Sequence, residues 1–401
     1  MVRIGFLALS ALLAVRGAAS ADPLDGFDAY VRKAISDWEV PAFAIAVVKD
    51  GEVVFQRGYG VLELGKAASA DEHTLFAIGS TTKAMTAAAI GMLVDEGKLA
   101  WDDPVTKHLP WFQLRDPYLT REVTVRDLLT HRAGLPNTDF LWYEQENGAR
   151  DILSRMRYVP SETSLRSHFT YQNVMYAAAG AVVSQVSGMP WEEFVRARIF
   201  EPLGMNRTVS NAARLRGMKN VASPHYRIDG KVEVIENASV DAVAPAGSVW
   251  SSVADMARWM RFLLEGKTAD GALLLKEETL NELFRPQTMV GEDAFYPTLR
   301  LTRPHWKTYG LGWFQQDYDG RAVDFHTGSI DGMVAIHGLI RDERLGVYVL
   351  GNLDHAELRH ALMYRVFDLY HGGPARDWNA EIKALYDTLA KDADQKKAEV
   401  E

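Results

Sequence analysis

The chain has 401 residues, 47% of them hydrophobic, so it can bury a large core and has room for two or three domains. Its formal charge of −9 at pH 7 repels nucleic-acid phosphates and anionic lipid surfaces, so no nucleic-acid partner is expected. With no cysteine it has no disulfide, no thiolate nucleophile and no Cys-based zinc site.

The chain opens MVRIGFLALSALLAVRGAASADP: Arg3, an apolar run from Ile4 to Val15, then Ala19-Ser20-Ala21 before Asp22. This predicts a signal peptide over residues 1–21, cleaved after Ala21, and a periplasmic or secreted protein. The apolar run is about a dozen residues, short of the roughly 20 needed to cross a bilayer, so no stable membrane insertion is expected after cleavage. Cleavage takes away Arg3 and Arg16 and no acids, moving the formal charge from −9 to −11.

In chain order, Phe27, Tyr30, Val31, Ala34, Ile35 and Trp38 recur on one helical face. AFAIAVVKDGEVVFQRGYG then reads as two strands joined at Asp50-Gly51, a dipeptide suited to the positive φ of a tight turn. Thr82 to Leu93 is small or apolar all round, the mark of a buried helix, with Gly97 placed to end it. Between about residues 100 and 245 the signals are helical, with a capping box at Thr124 and Asp127 and a first-turn proline at Pro190. Ser252 and Asp255 cap a further helix, Val253 to Leu264, ended by Gly266. YGLGWFQQ, AVDFHTG, MVAIHGLI and LGVYVLGN follow as the strands of a meander. Trp378, Ile382, Leu385 and Leu389 share a face of a docked C-terminal helix, and the charged run after it is expected to fray.

Ser80-Thr81-Thr82-Lys83 places a hydroxyl and an amine on one side of a helix start. Chance supplies a Ser-x-x-Lys about once or twice in such a chain, so alone it is weak. Yet it is the only one here, Tyr171-Gln172-Asn173 is the only Tyr-x-Asn, and His326-Thr327-Gly328 is the only His/Lys-Thr-Gly, at the end of a predicted strand. A serine hydroxyl needs a base within hydrogen-bond reach, and Lys83 serves only if burial or a neighbouring cation lowers its pKa.

In this order the motifs resemble the serine β-lactamase and penicillin-binding protein superfamily, in particular its class C β-lactamase, DD-carboxypeptidase, D-aminopeptidase and esterase branch. LLTHRAGLP at 128–136, FEPLGM at 200–205 and YGLGW at 309–313 add to the likeness, which covers about residues 25–371. It implies an α+β fold: an antiparallel sheet flanked by helices on both faces, from 22–85 and 245–371, with an inserted mainly helical region over 86–244; beyond it the periodicity leaves a C-terminal helix and charged tail over 372–401. It also implies an acyl-enzyme on Ser80, with Lys83 and Tyr171 sharing the proton transfers and Asn173 holding a substrate carbonyl. The amides of Ser80 and Ser329 would form the oxyanion hole, and His326, Thr327 and Gly328 would bind substrate along the opposite wall.

β-Lactamases of this branch usually carry Lys where this chain has His326, a weaker, pH-dependent cation, so D-amino-acid peptides stand ahead of β-lactams and simple esters as substrates. A non-catalytic penicillin-recognising sensor is the competing class, and an α/β-hydrolase is disfavoured because Ser80 lacks the G-x-S-x-G context. No cofactor and no metal are expected; His355 and His360 are five apart, off the spacing that puts two ligands on one helix face. His131 reads as a loop or helix-end residue, and Trp250, Tyr309 and Trp313 as core aromatics more often than cleft ones. The partner implied is a small-molecule or peptide substrate, and the oligomeric state stays open.

Overall fold

Alternation along one strand builds the two layers of this protein. In the computed structural model, which describes residues 22–145, 147–372 and 376–400, Ala42–Lys49 (β1) and Glu52–Gly60 (β2) form the expected hairpin. Asp50 and Gly51 take its turn at φ 51° and 82°. Ala42, Ala44, Ala46 and Val48 of β1 enter one buried cluster, and Phe43, Ile45 and Val47 enter another. Successive strand side chains point to opposite faces, so a strand apolar on both parities must be covered on both.

The main sheet adds Thr288–Met289 (β3), Lys307–Tyr309 (β4), Phe314–Tyr318 (β5), Arg321–Ile330 (β6), Met333–Ile340 (β7) and Leu345–Gly351 (β8). Its order is β2-β1-β8-β7-β6-β5-β4-β3, antiparallel at every step. One face is covered by Phe27–Trp38 (α1), Leu358–His371 (α5) and Trp378–Val400 (α6). The other packs on Val253–Glu265 (α4), and Thr82–Asp95 (α2) and Asn173–Ser187 (α3), packed on each other, belong to the same buried cluster. This is the α+β architecture expected, and its strands come from both ends of the chain.

The caps fall where the sequence places them. Thr124 and Asp127 make the reciprocal capping box on Val125–Leu129, and Ser252 accepts from the Asp255 N–H while Gly266 closes α4 at φ 73°. Such caps are worth about 1 kcal/mol each.

Several expectations need correction. YGLGWFQQ is not one strand but the β4–β5 hairpin: Tyr309 pairs with Phe314, and Gly312 turns the chain at φ 89°. Gly312 lies so close to α2 that a β-carbon there would sit 3.0 Å from the Ala84 nitrogen, so this turn needs glycine. Pro190 stands one residue earlier than expected, as the residue preceding Trp191–Val195. The region read as helical also holds a hairpin, His225–Ile228 with Lys231–Val234, around Asp229-Gly230, the same turn dipeptide as in β1–β2. The charged C-terminal run does not fray but continues α6 to Val400. That helix is anchored at its start, where Trp378 Nε1 donates to Asp368 Oδ2 at 2.6 Å and Asn379 bonds to Trp38 and Asp37. The predicted signal peptide lies outside the described residues. Among those described, no helix is long and apolar enough to cross a membrane.

Candidate active site

Ser80 sits in a 3₁₀ turn, Gly79–Thr81, that runs directly into α2, and Lys83 is the second residue of that helix. The Lys83 amine is fully buried and donates to three oxygens: Ser80 Oγ at 2.9 Å, Asn173 Oδ1 at 2.7 Å and the Ala246 carbonyl at 2.9 Å. Ser80 itself stays partly exposed. Burial pushes the Lys83 amine well below its usual range, against the opposing pull of the Asp139 carboxylate.

Tyr171 and Asn173 arrive from the start of α3. The intervening Gln172 is pinned: its N–H donates to His131 Nδ1 at 3.0 Å, and its side chain bonds to Thr138 and to the Leu135 carbonyl. Lys83 Nζ lies 4.7 Å from the Tyr171 ring centroid. Burial holds the Tyr171 phenol well above its normal range, and the nearby Ser80 hydroxyl lowers it only in part.

The opposite wall is the end of β6. β5 pairs with residues 321–325 only, so from His326 onward that edge of β6 is free of a strand and faces the Ser80 turn. The approach is close: a β-carbon on Gly79 would lie 2.6 Å from the Ser329 nitrogen, and one on Gly328 would lie 3.1 Å from the Ser80 nitrogen. The two amides named for the oxyanion hole therefore border one narrow gap, and glycine on each side keeps it narrow. Gly79 is at φ 52°.

Behind this wall Arg359 donates to the Gly328 carbonyl at 2.7 Å and to Ser329 Oγ at 2.9 Å. It is held by a buried ion pair with Glu357, which His360 also engages.

His326 lines the cleft as a neutral ring. Its Nδ1–H donates to the Thr327 carbonyl at 2.6 Å, Tyr309 O–H donates to its Nε2 at 3.0 Å, and burial beside Lys83 takes its pKa down to about 3. The ring therefore carries no positive charge at neutral pH. Thr327 Oγ1 pairs with the Tyr296 hydroxyl at 2.8 Å.

The cleft between these walls encloses about 660 Å³ and is lined by Ser80, Tyr171, Asn173, His326, Thr327 and Ser329 together with aromatics from both rims. All the residues named from sequence converge here, Lys83 just beneath Ser80 and Gly328 at the close approach. Trp250, Tyr309 and Trp313 are core residues. Among the described residues no group of three or more His, Cys, Asp or Glu is placed to hold a metal ion.

Three contributors escaped the sequence. His131 is buried against Tyr171, with ring centroids 4.3 Å apart, and its pKa is driven far down by burial and Lys83. Asp139 accepts from Asn173 Nδ2, and Arg359 braces the strand end at Gly328 and Ser329. Only their proximity in the fold marks them, because none falls in a motif whose spacing implies chemistry.

A family model described as Beta-lactamase matches residues 27–370. A curated relative, the unguisins hydrolase ungD of Aspergillus violaceofuscus, is 28% identical over 88% of this chain and 66% of its own length. Protein flp of Staphylococcus aureus is 24% identical over 83% of this chain and 64% of its own. The chain thus spans a little under two thirds of the curated relatives it matches. Among solved structures, the octameric penicillin-binding protein homologue from Pyrococcus abyssi superposes with a TM-score of 0.76 at 25% identity, covering 88% of this chain and 78% of that one. A D-stereospecific amidohydrolase from Streptomyces sp. gives 0.65 at 22% identity over 81% and 94%, a likeness of fold.

Proposed function

As the chain belongs to the Beta-lactamase family, we propose that it is a serine hydrolase that forms an acyl-enzyme on Ser80 and hydrolyses small amides or esters, with D-amino-acid peptides foremost. The carrying observation is the buried Lys83 amine 2.9 Å from Ser80 Oγ. An amine whose proton is destabilised by burial, beside a hydroxyl, is what a serine nucleophile requires.

In the proposed reaction Ser80 Oγ attacks the substrate carbonyl carbon and passes its proton to the Lys83–Tyr171 pair. Tyr171, held as the neutral phenol, favours Lys83 as the group that keeps the proton and leaves Tyr171 to relay it. The amides of Ser80 and Ser329 receive the oxyanion. The departing amine or alcohol takes the proton back as its bond to carbon breaks, and a water, deprotonated by the same pair, then attacks the ester and frees Ser80.

Charge narrows the substrate. Asp293 is the only charged side chain among the described residues lining the cleft, and His326 is neutral. A carboxylate next to the scissile bond would find no fixed cation on these walls, which favours aminopeptidase, amidohydrolase or esterase substrates over a carboxypeptidase substrate. A second groove of about 630 Å³, lined by Tyr143, Tyr226, Ile228 and Asp331, meets the cleft at Ser329 and gives room for a peptide chain.

The test is to treat the purified protein with a fluorescent penicillin and an activated p-nitrophenyl ester, beside Ser80→Ala. Labelling and turnover that vanish in Ser80→Ala support the reading, and activity unchanged in that variant defeats it. A sensor would acylate once and stop, without turnover.

A further inference from the structure

We propose that Asp139 is a positioning residue for this site: it fixes the Asn173 amide with its carbonyl toward Lys83 and sets a negative charge on the amide's far side. The inference rests on the serine-hydrolase reading for its kinetic consequences, but not for its structural ones.

Asn173 Nδ2 donates to Asp139 Oδ1 at 3.0 Å while Asn173 Oδ1 accepts from Lys83 at 2.7 Å. Only one orientation of the amide satisfies both neighbours, because the reverse would place oxygen against carboxylate and NH₂ against the amine. Trp142 Nε1 donates to the same Asp139 oxygen at 2.9 Å, and Asn137 Nδ2 donates to Oδ2 at 3.1 Å. Asp139 is thus held from its own loop, independently of Asn173.

The consequence falls on the proton at Lys83. Its charged and titratable surroundings are Asp139 across the amide, the phenols of Tyr171 and Tyr176, whose rings lie 4.7 and 5.2 Å from Nζ, and the neutral imidazoles of His131 and His326. Of these Asp139 is the one full charge that favours the ammonium, beside the weaker attraction of the two ring faces. It opposes the desolvation of Lys83, so it stabilises the ammonium that forms when Ser80 gives up its proton and keeps the amine's pKa from falling too far for it to hold that proton. Removing the charge must therefore lower the Lys83 pKa, not raise it. A lysine needed in its neutral form would then be active at lower pH.

The experiment compares wild type with Asp139→Asn and Asp139→Ser. Each removes the charge; Asn keeps an oxygen in place to accept from Asn173, and Ser removes the charge with a shorter side chain. Two readouts are taken: the acid limb of kcat/KM against pH on a neutral ester, and the titration of Lys83 followed directly by NMR of protein carrying isotope-labelled lysine. Both are expected to move to lower pH by about one unit. Asp139→Glu, which keeps the charge, should stay close to wild type in both readouts.

A Lys83 titration that does not move in either folded variant overturns the inference, whatever the activity. Failure of the hydrolase reading has a different signature, since it leaves hydrolysis intact in Ser80→Ala while the NMR shift is still observed. If Asp139→Asn does not fold, Asp139→Ser carries the same comparison.

Discussion

A β-carbon on Gly328 would lie 1.9 Å from the carbonyl oxygen of Ile78, well inside any allowed contact. The wall that carries Ser329 and the turn that carries Ser80 therefore meet backbone to backbone. Gly328→Ala must push β6 away from the turn and widen the gap between the Ser80 and Ser329 amides. The expected result is a loss of kcat/KM of about 10²- to 10³-fold, the usual effect of losing one oxyanion donor. Ester kinetics beside a thermal melt check it; a variant with wild-type kinetics and fold would remove these amides from the mechanism.

Lys83 is the group whose loss should separate binding from chemistry. Lys83→Met keeps length and removes the amine, and kcat/KM is expected to fall about 10²- to 10⁴-fold, the range for a lost general base. Tyr171→Phe should cost less if the phenol only relays the proton. Stopped-flow acylation with an activated ester distinguishes the two, and an equal or larger loss for Tyr171→Phe would reverse the assignment.

The histidines make stability depend on pH. Burial takes His326 and His337 from the usual 6.5 down to about 3 in the folded chain. The unfolded chain binds these protons below pH 6.5 and the folded chain does not, so stability is complete above that pH and is lost as pH falls from 6.5 toward 3. Each histidine costs about 1.4 kcal/mol per pH unit inside that window, as an order of magnitude. His337 has no hydrogen-bond partner at either ring nitrogen and packs against Trp313 and Tyr348. His337→Phe should hold stability at pH 7.5 and flatten the acid decline. Urea melts between pH 5 and 8 decide it, and an unchanged slope would refute it.

Arg359 and Glu357 form a buried pair, 6% and 8% exposed at the side chain, so breaking one half leaves the other uncompensated. Arg359→Met is expected to destabilise by about 3–5 kcal/mol, and adding Glu357→Gln should recover part of that loss. The double variant should still be slow, because the Gly328 carbonyl has lost its donor. Full recovery of kcat in the double variant would limit Arg359 to a stabilising role.

Much of the fold was legible in local sequence. The Asp50-Gly51 turn, the Thr124–Asp127 box and the Ser252 and Gly266 caps are short-range devices, and each acts within a few residues. The β4–β5 turn was not legible: Gly312 is required there because a β-carbon would come within 3.0 Å of the Ala84 nitrogen in α2, a neighbour more than two hundred residues distant in sequence. The hairpin at Asp229-Gly230 has the same turn dipeptide, but it lies in a region whose other local signals are helical.

By itself the sequence picked out the candidate side chains of a serine-centred site, since Ser80, Lys83, Tyr171, Asn173 and His326 stand in three motifs whose order resembles one superfamily. Only the tertiary structure decided their states. Whether Lys83 is a poised amine or an ordinary ammonium, and whether His326 is a cation or a neutral brace, depends on desolvation and on partners such as Asp139 and Tyr309. Those are properties of what surrounds a group in three dimensions, and the order of residues along a chain does not contain them.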